Sequence, residues 1–116
     1  MQRRYRLSRS RDFDAVYRQG KSVSSRFLIL YWFERPEEHD HSPRVGIAIP
    51  RKVGSAVVRN RVKRRLREAW RTQLDRIPEG RDFVLVARPG LAESADTSGP
   101  DWVEEQVAEV LGKVAG

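Results

Sequence analysis

"RVGIAIPRKVGSAVVRNRVKRRLREAW", residues 44 to 70, decides the fold, because its apolar period changes partway along. Up to Ile49 the period is two: Val45, Ile47 and Ile49 share one side of an extended segment, and Gly46 and Ala48 share the other. That second side has almost no side chain, so another backbone or a ligand can come close. From Val58 the period becomes helical. At 100° per residue, Val58, Val62, Leu66 and Ala69 fall in an arc of about 80°, a stripe that must dock on an apolar surface. The spacing therefore predicts a strand, a short turn and a helix capped by Ser55 that runs to about Leu74.

On the opposite side of the same wheel lie Lys63, Arg67, Arg71, Arg64 and Arg61, between roughly 140° and 300°, with Arg59 and Arg65 at the margins. From Arg59 to Arg71 the rise is about 18 Å, so the cations form a ridge as long as several phosphate spacings. Glu68 can pair with Arg64 or Arg71, which leaves the others unneutralised. A merely solvated face would carry mixed signs, since like charges at i,i+4 cost roughly 0.2 to 0.5 kcal/mol per pair. Crowding of one sign points instead to a polyanion that quenches it. Arginine suits that partner, because its planar fork matches phosphate oxygens and stacks on bases. Arg51 and Lys52 extend the positive surface to the helix start, where free backbone N–H groups already favour anions.

The flanking sequence supplies the rest of a small domain. Ser8 or Ser10 can cap a helix to about Gln19, ended by Gly20, that puts Phe13 and Tyr17 on one face. "RFLILYWF" reads as a strand with Phe27, Ile29, Tyr31 and Phe33 on one side and Leu28, Leu30 and Trp32 on the other. "ERPEEHDHSP" is a polar turn, "DFVLVA" a further strand, and "GLAESADTSG" a loop spanning about 90 to 100. A last helix begins near Asp101, with Glu104 placed as in a capping box and Val103, Val107, Val110, Leu111 and Val114 as its stripe. Residues 1 to 7 are read as a basic, flexible lead-in.

The totals agree with a single domain over residues 1–116: 39% hydrophobic and 34% charged residues give a modest core under a highly charged surface. The net charge of +7 is uneven, with 19 Lys+Arg against 7 Asp+Glu in residues 1–71 and 4 against 9 in residues 72–116. Neither the bulky apolar anchors of a membrane-surface helix nor a spanning run stands out, so no membrane partner is expected. The absence of cysteine removes disulfides and thiolate chemistry and fits the cytoplasm. No hydrolytic constellation emerges: Asp12 and Asp14 point to different helix sides, and His39 and His41 sit in an acidic turn better read as a solvated loop than as a metal site. Phe13, Tyr17 and Tyr31 are either core or a platform on which unpaired bases stack.

"RKVGSAVVRNRVKRRLREAW" resembles the signature segment of the protein subunit of bacterial ribonuclease P, with its Arg-Asn-Arg core followed by Lys-Arg and Arg-Glu. "DFDAVYRQGKSV" resembles the first helix of that family, "FLILY" its long strand, "RVGIAIPRK" its third strand and "DFVLVARP" its last. The likeness runs from about Leu7 to Pro89. It implies an α/β (α+β) two-layer sandwich: a mixed four-stranded sheet packed with three helices, with a left-handed βαβ crossover, as in a domain of a small-subunit ribosomal protein. It further implies an RNA-binding subunit, one copy per RNA, of the endonuclease that removes the 5′ leader from precursor tRNA. Catalysis would then rest with Mg²⁺ bound mainly by the RNA subunit.

Carried over residue by residue, the resemblance assigns Arg59, Asn60, Arg61, Lys63, Arg64, Arg65 and Arg67 to the ribonuclease P RNA. It assigns Phe13, Tyr17, Tyr31, Arg51, Lys52 and Arg88 to the precursor tRNA leader, and no catalytic residue to the protein. Ser55 stands where many relatives have Asn, a change a helix cap tolerates. The acidic last helix, with Asp101, Glu104, Glu105 and Glu109, is a poor RNA surface. A ribosomal-type or DNA-binding module using the same basic helix is the alternative, since Asn60 and Arg61 can enter a major groove. The aromatic set favours single strands.

Overall fold

A computed structural model describes residues 10–34 and 43–114. Its elements are α1 (Ser10–Gln19), β1 (Lys21–Ser24), β2 (Leu28–Glu34), β3 (Arg44–Ala48), α2 (Ala56–Arg71), β4 (Arg81–Ala87), α3 (Leu91–Ser98) and α4 (Pro100–Gly112). The strands form one mixed sheet in the order β1-β2-β4-β3. β1, β2 and β4 pair antiparallel, whereas β3 runs parallel to β4, so α2 is the crossover of a βαβ unit. This is an α+β fold.

Alternation along the strands divides the apolar residues between two faces. Leu28, Leu30 and Trp32 of β2, Val45 and Ile47 of β3, and Phe83 and Leu85 of β4 point to one face, where Val62, Leu66, Ala69 and Trp70 of α2 and Val103, Val107 and Val110 of α4 cover them. Phe83 and Trp70 meet edge to face with ring centroids 5.3 Å apart. The other face carries Tyr31, Phe33, Ala48, Val84 and Val86, and among the described residues α1, through Phe13 and Val16, packs on it. Gly20 lets α1 end hard against the sheet, because a Cβ there would overlap the Trp32 carbonyl.

β3 and β4 are also tied by charge. Arg44 donates from Nε and Nη2 to the two carboxylate oxygens of Asp82, at 2.8 and 2.7 Å. These residues face each other in the β3–β4 register. Asp82 is only 3% exposed, and a two-point guanidinium bond is what makes so buried a carboxylate tolerable.

The helix expected from Ser55 is α2, and the Ser55 hydroxyl accepts from the Val58 N–H at 3.3 Å as its cap. It ends at Arg71 rather than about Leu74, which instead begins a turn of 3-10 helix, Leu74–Arg76. The expected loop at 90–100 is corrected: α3 occupies most of it, giving four α-helices among the described residues rather than three. Ser, Asp, Thr and flanking Gly favour turns locally, but Leu91, Ala92 and Ala95 make one buried stripe, and that packing overrides propensity. The capping box expected at Asp101 does not form. α4 begins at Pro100 after Gly99, with no side-chain cap, since proline at the first position suits a helix start by itself.

Phe27 also departs from the expected alternation. It precedes β2 and packs edge to face on Trp102 of α4, at 5.1 Å, rather than on the side of Tyr31. The fourth strand, β1, is a short polar edge whose residues the periodicity did not mark. Ser8, the lead-in at 1 to 7, and His39 and His41 lie outside the described residues. Among the described residues, no helix is long and apolar enough to cross a membrane.

Candidate nucleic-acid interface

α2 rests on the sheet by its Val62–Leu66–Ala69 stripe, and this docking turns the basic side outward. Asn60, Lys63 and Arg64 are exposed, while Arg59, Arg61, Arg65 and Arg67 are half-buried. Among the described residues, Arg59, Lys63 and Arg64 have no acidic partner. Glu68 is taken by Arg71, at 3.0 Å.

One expectation about this ridge is overturned. Arg61 and Arg65 are not left unneutralised: both bond Asp96 of α3, Arg61 Nη2 to Oδ2 at 3.2 Å and Arg65 Nη1 to Oδ1 at 2.7 Å. The spacing of charges along α2 holds no trace of this partner, which lies 31 residues beyond Arg65 in a segment read as loop. The acidic C-terminal part of the chain thus touches the ridge at its flank.

Arg51 and Lys52 are exposed on a single turn of 3-10 helix, Arg51–Val53, that joins β3 directly to α2. Arg88 lies at the same end of the sheet, because it follows β4, whose Val86 is paired with Ala48 of β3. Its guanidinium donates to the Ser25 carbonyl at 2.8 Å, yet the residue as a whole remains exposed. Arg26, which no sequence pattern singled out, is exposed in the adjoining bend, with its guanidinium carbon 5.3 Å from the Phe27 ring centre.

The aromatic residues sit on the α1 face of the sheet, across from α2. Tyr17 and Tyr31 meet edge to face at 5.0 Å, and Tyr17 is 43% exposed. Burial, and then the neighbouring Tyr31, raise the Tyr17 hydroxyl above the ordinary value, so it stays protonated and able to donate at neutral pH. Phe13, half-buried on the same face, also meets β3. Its ring fills the space over Gly46, where any Cβ would overlap it, so the clearance expected there is already occupied from within the protein. Beside it, Tyr31, Ala48 and Val86 are half-covered. From Val84, opposite Tyr31, to Arg88 the chain advances four residues, about 13 Å of extended strand. Arg88 therefore follows the level of Tyr31 by about 13 Å along the strand direction.

Among the described residues, no three His, Cys, Asp or Glu side chains gather in a way that holds a metal ion. The carboxylates nearest the ridge, Glu68 and Asp96, are engaged by arginines. What the surface offers is fixed positive charge, hydrogen-bond donors and ring faces, which is the chemistry of phosphate and base recognition.

Comparison with known proteins agrees. Residues 1–114 match the family described as Ribonuclease P. The chain is 38% identical over 93 residues to the ribonuclease P protein component of Bacillus cereus (strain B4264), covering 80% of this chain and 79% of that one. It is 33% identical over 116 residues to the protein component of Geobacillus thermodenitrificans, covering 100% of this chain and 91% of the other. Among solved structures, it is similar to the ribonuclease P protein of Thermotoga maritima, with a TM-score of 0.83, 31% identity, and coverage of 96% of this chain and 98% of that one. The Staphylococcus aureus protein gives a TM-score of 0.76 at 30% identity, with 93% of each chain covered. With the sheet order, the crossover helix and its arginine ridge in place, the chain belongs to the protein-component family of bacterial ribonuclease P, the endoribonuclease of tRNA processing.

Proposed function

We propose that this chain assists the catalytic RNA of ribonuclease P by binding it through the outer side of α2 and by holding the single-stranded 5′ leader of precursor tRNA on the α1 face of the sheet. Arg59, Asn60, Lys63, Arg64 and Arg67 meet the phosphates of the RNA subunit directly, with Arg61 and Arg65 at the flank. Tyr17 and Tyr31 offer ring surface to leader bases, and Arg51, Lys52 and Arg88 hold its phosphates at the end of the sheet. Phe13 supports this face by holding α1 on β3. Catalysis belongs to the RNA subunit, which binds Mg²⁺, and the protein acts as one copy per RNA in the cytoplasm.

The observation that carries this reading is a row of cations on α2, half-buried Arg59 and exposed Lys63 and Arg64, that has no acidic partner among the described residues, on a chain of this family. Ribosomal-type or duplex-DNA binding would use the same ridge but would leave the rings on the other face idle. The test is to add the protein to a bacterial ribonuclease P RNA at low Mg²⁺ and follow cleavage of precursor tRNA. Faster processing, undiminished by excess duplex DNA, is expected. No acceleration, or cleavage by the protein without the RNA, would sink the assignment.

A further inference from the structure

Asp96 has no explanation within its own helix. It lies in the C-terminal half of α3, where the helix dipole disfavours negative charge. Its carboxylate reaches across to α2 and places one oxygen on each of two arginines a turn apart, at 3.2 Å on Arg61 and 2.7 Å on Arg65. All three side chains remain accessible, with exposures of 42% for Arg61, 35% for Arg65 and 45% for Asp96. An ion pair this open is weak and exchanges readily with solutes. The carboxylate occupies the position that a phosphate would take between the same two guanidinium groups, and each guanidinium keeps further N–H groups for another acceptor.

We propose that Asp96 is a specificity-determining residue of the α2 ridge, acting as an internal stand-in for phosphate that suppresses binding of non-cognate RNA. The inference rests on the reading of the ridge as the RNA-facing surface. Counterion release drives non-specific binding in proportion to the phosphates neutralised, and Asp96 cancels one of the two charges at Arg61 and Arg65. A plain RNA helix must displace the carboxylate for little return. A folded RNA that engages the rest of the ridge at the same time displaces it more easily, because its other contacts hold it in place.

The experiment compares the parent chain with Asp96→Asn and Glu93→Gln, measuring affinity for a ribonuclease P RNA and for a plain RNA duplex across a fourfold range of salt. Glu93 is exposed in the first turn of the same helix, so its replacement removes an equal charge without touching the pair. Asp96→Asn is expected to steepen the duplex slope of log K against log salt by about 0.7 to 0.9, and so tighten duplex binding about threefold at the low-salt end relative to the high-salt end. Cognate affinity changes less, and the preference for ribonuclease P RNA narrows. Glu93→Gln moves the slope less than Asp96→Asn. Equal effects of the two variants, an unchanged duplex slope, or weaker duplex binding overturn the proposal.

Arg65→Gln supplies a second readout within folded backgrounds. It is expected to cost more duplex affinity when combined with Asp96→Asn than in the parent, and an equal cost also overturns the proposal. The reading of the ridge fails separately: Arg64→Ala would then leave the parent's salt slope unchanged whatever happens at Asp96.

Discussion

The two faces of the sheet differ in how far the protein itself completes them. On one, α2 and α4 bury Leu30, Phe83, Leu85 and Trp70 completely. On the other, among the described residues, α1 is the one helix that packs, with Val16 and Val84 buried, while Tyr31, Ala48 and Val86 stay half-covered and Tyr17 is exposed. Alternating residues of the same strands feed both faces, so strand propensity does not make the difference. Helix supply does. A face covered by two helices makes the larger contribution to stability, and a face covered by one leaves ring surface for something else.

The largest expected effect tests the closed face. Phe83→Ala removes a fully buried ring in contact with Trp70 and is expected to cost about 3 to 5 kcal/mol in urea unfolding. A cost under about 1 kcal/mol would mean that this side is no more completed than the other. Next is the joint between α1 and β3: Gly46→Ala forces a methyl group into the Phe13 ring and is expected to destabilise by about 1 to 3 kcal/mol. If stability is unchanged, α1 is not held where the structure has it.

Tyr17→Ala sharpens the contrast, since stability should change little while precursor tRNA binding falls by about 1 to 3 kcal/mol relative to mature tRNA. Equal losses for both RNAs would make Tyr17 part of the core. Lys63→Ala, on the outer side of α2, is expected to lower the salt slope of RNA binding by about 0.7 to 0.9 for each phosphate no longer neutralised, with unfolding unaffected. The smallest effect concerns the Tyr17 hydroxyl. Because its folded value is raised, the unfolded chain ionises first, so its contribution is fully present below the ordinary value of 10.0 and is lost as pH rises beyond it. Tyr17→Phe should therefore flatten the alkaline fall in stability without altering leader binding between pH 6 and 9.

Much of this was legible in the order of residues. The switch of period between Ile49 and Val58 predicted β3, its tight exit and α2, and the hydroxyl of Ser55 caps the helix as expected. The outward side of α2 followed from the same wheel, because a helix that buries Val62, Leu66 and Ala69 must turn Lys63 and Arg64 away. The stripe Val103–Val107–Val110 likewise marked α4. What stayed hidden was of three kinds. β1, "KSVS", lies at the edge and turns a single half-buried residue, Val23, to the core, too little for an alternation to betray it. α3 mixes helix formers, Leu91, Ala92, Glu93 and Ala95, with Ser, Asp and Thr that prefer turns, and docking of its buried stripe decides for the helix. The clearance over Gly46 was legible, but not that the ring of Phe13 fills it.

Local spacing determined which residues share a face, since periodicity follows from backbone geometry and needs no partner. It therefore specified the helices and strands with strong stripes, and the arginine ridge with them. Tertiary structure alone decided which faces are closed and where Asp96 arrives, because those depend on contacts between separate elements, as between Arg65 and an Asp96 31 residues further along the chain. The cation ridge is a property of the sequence. How much of its charge reaches an RNA is a property of the fold.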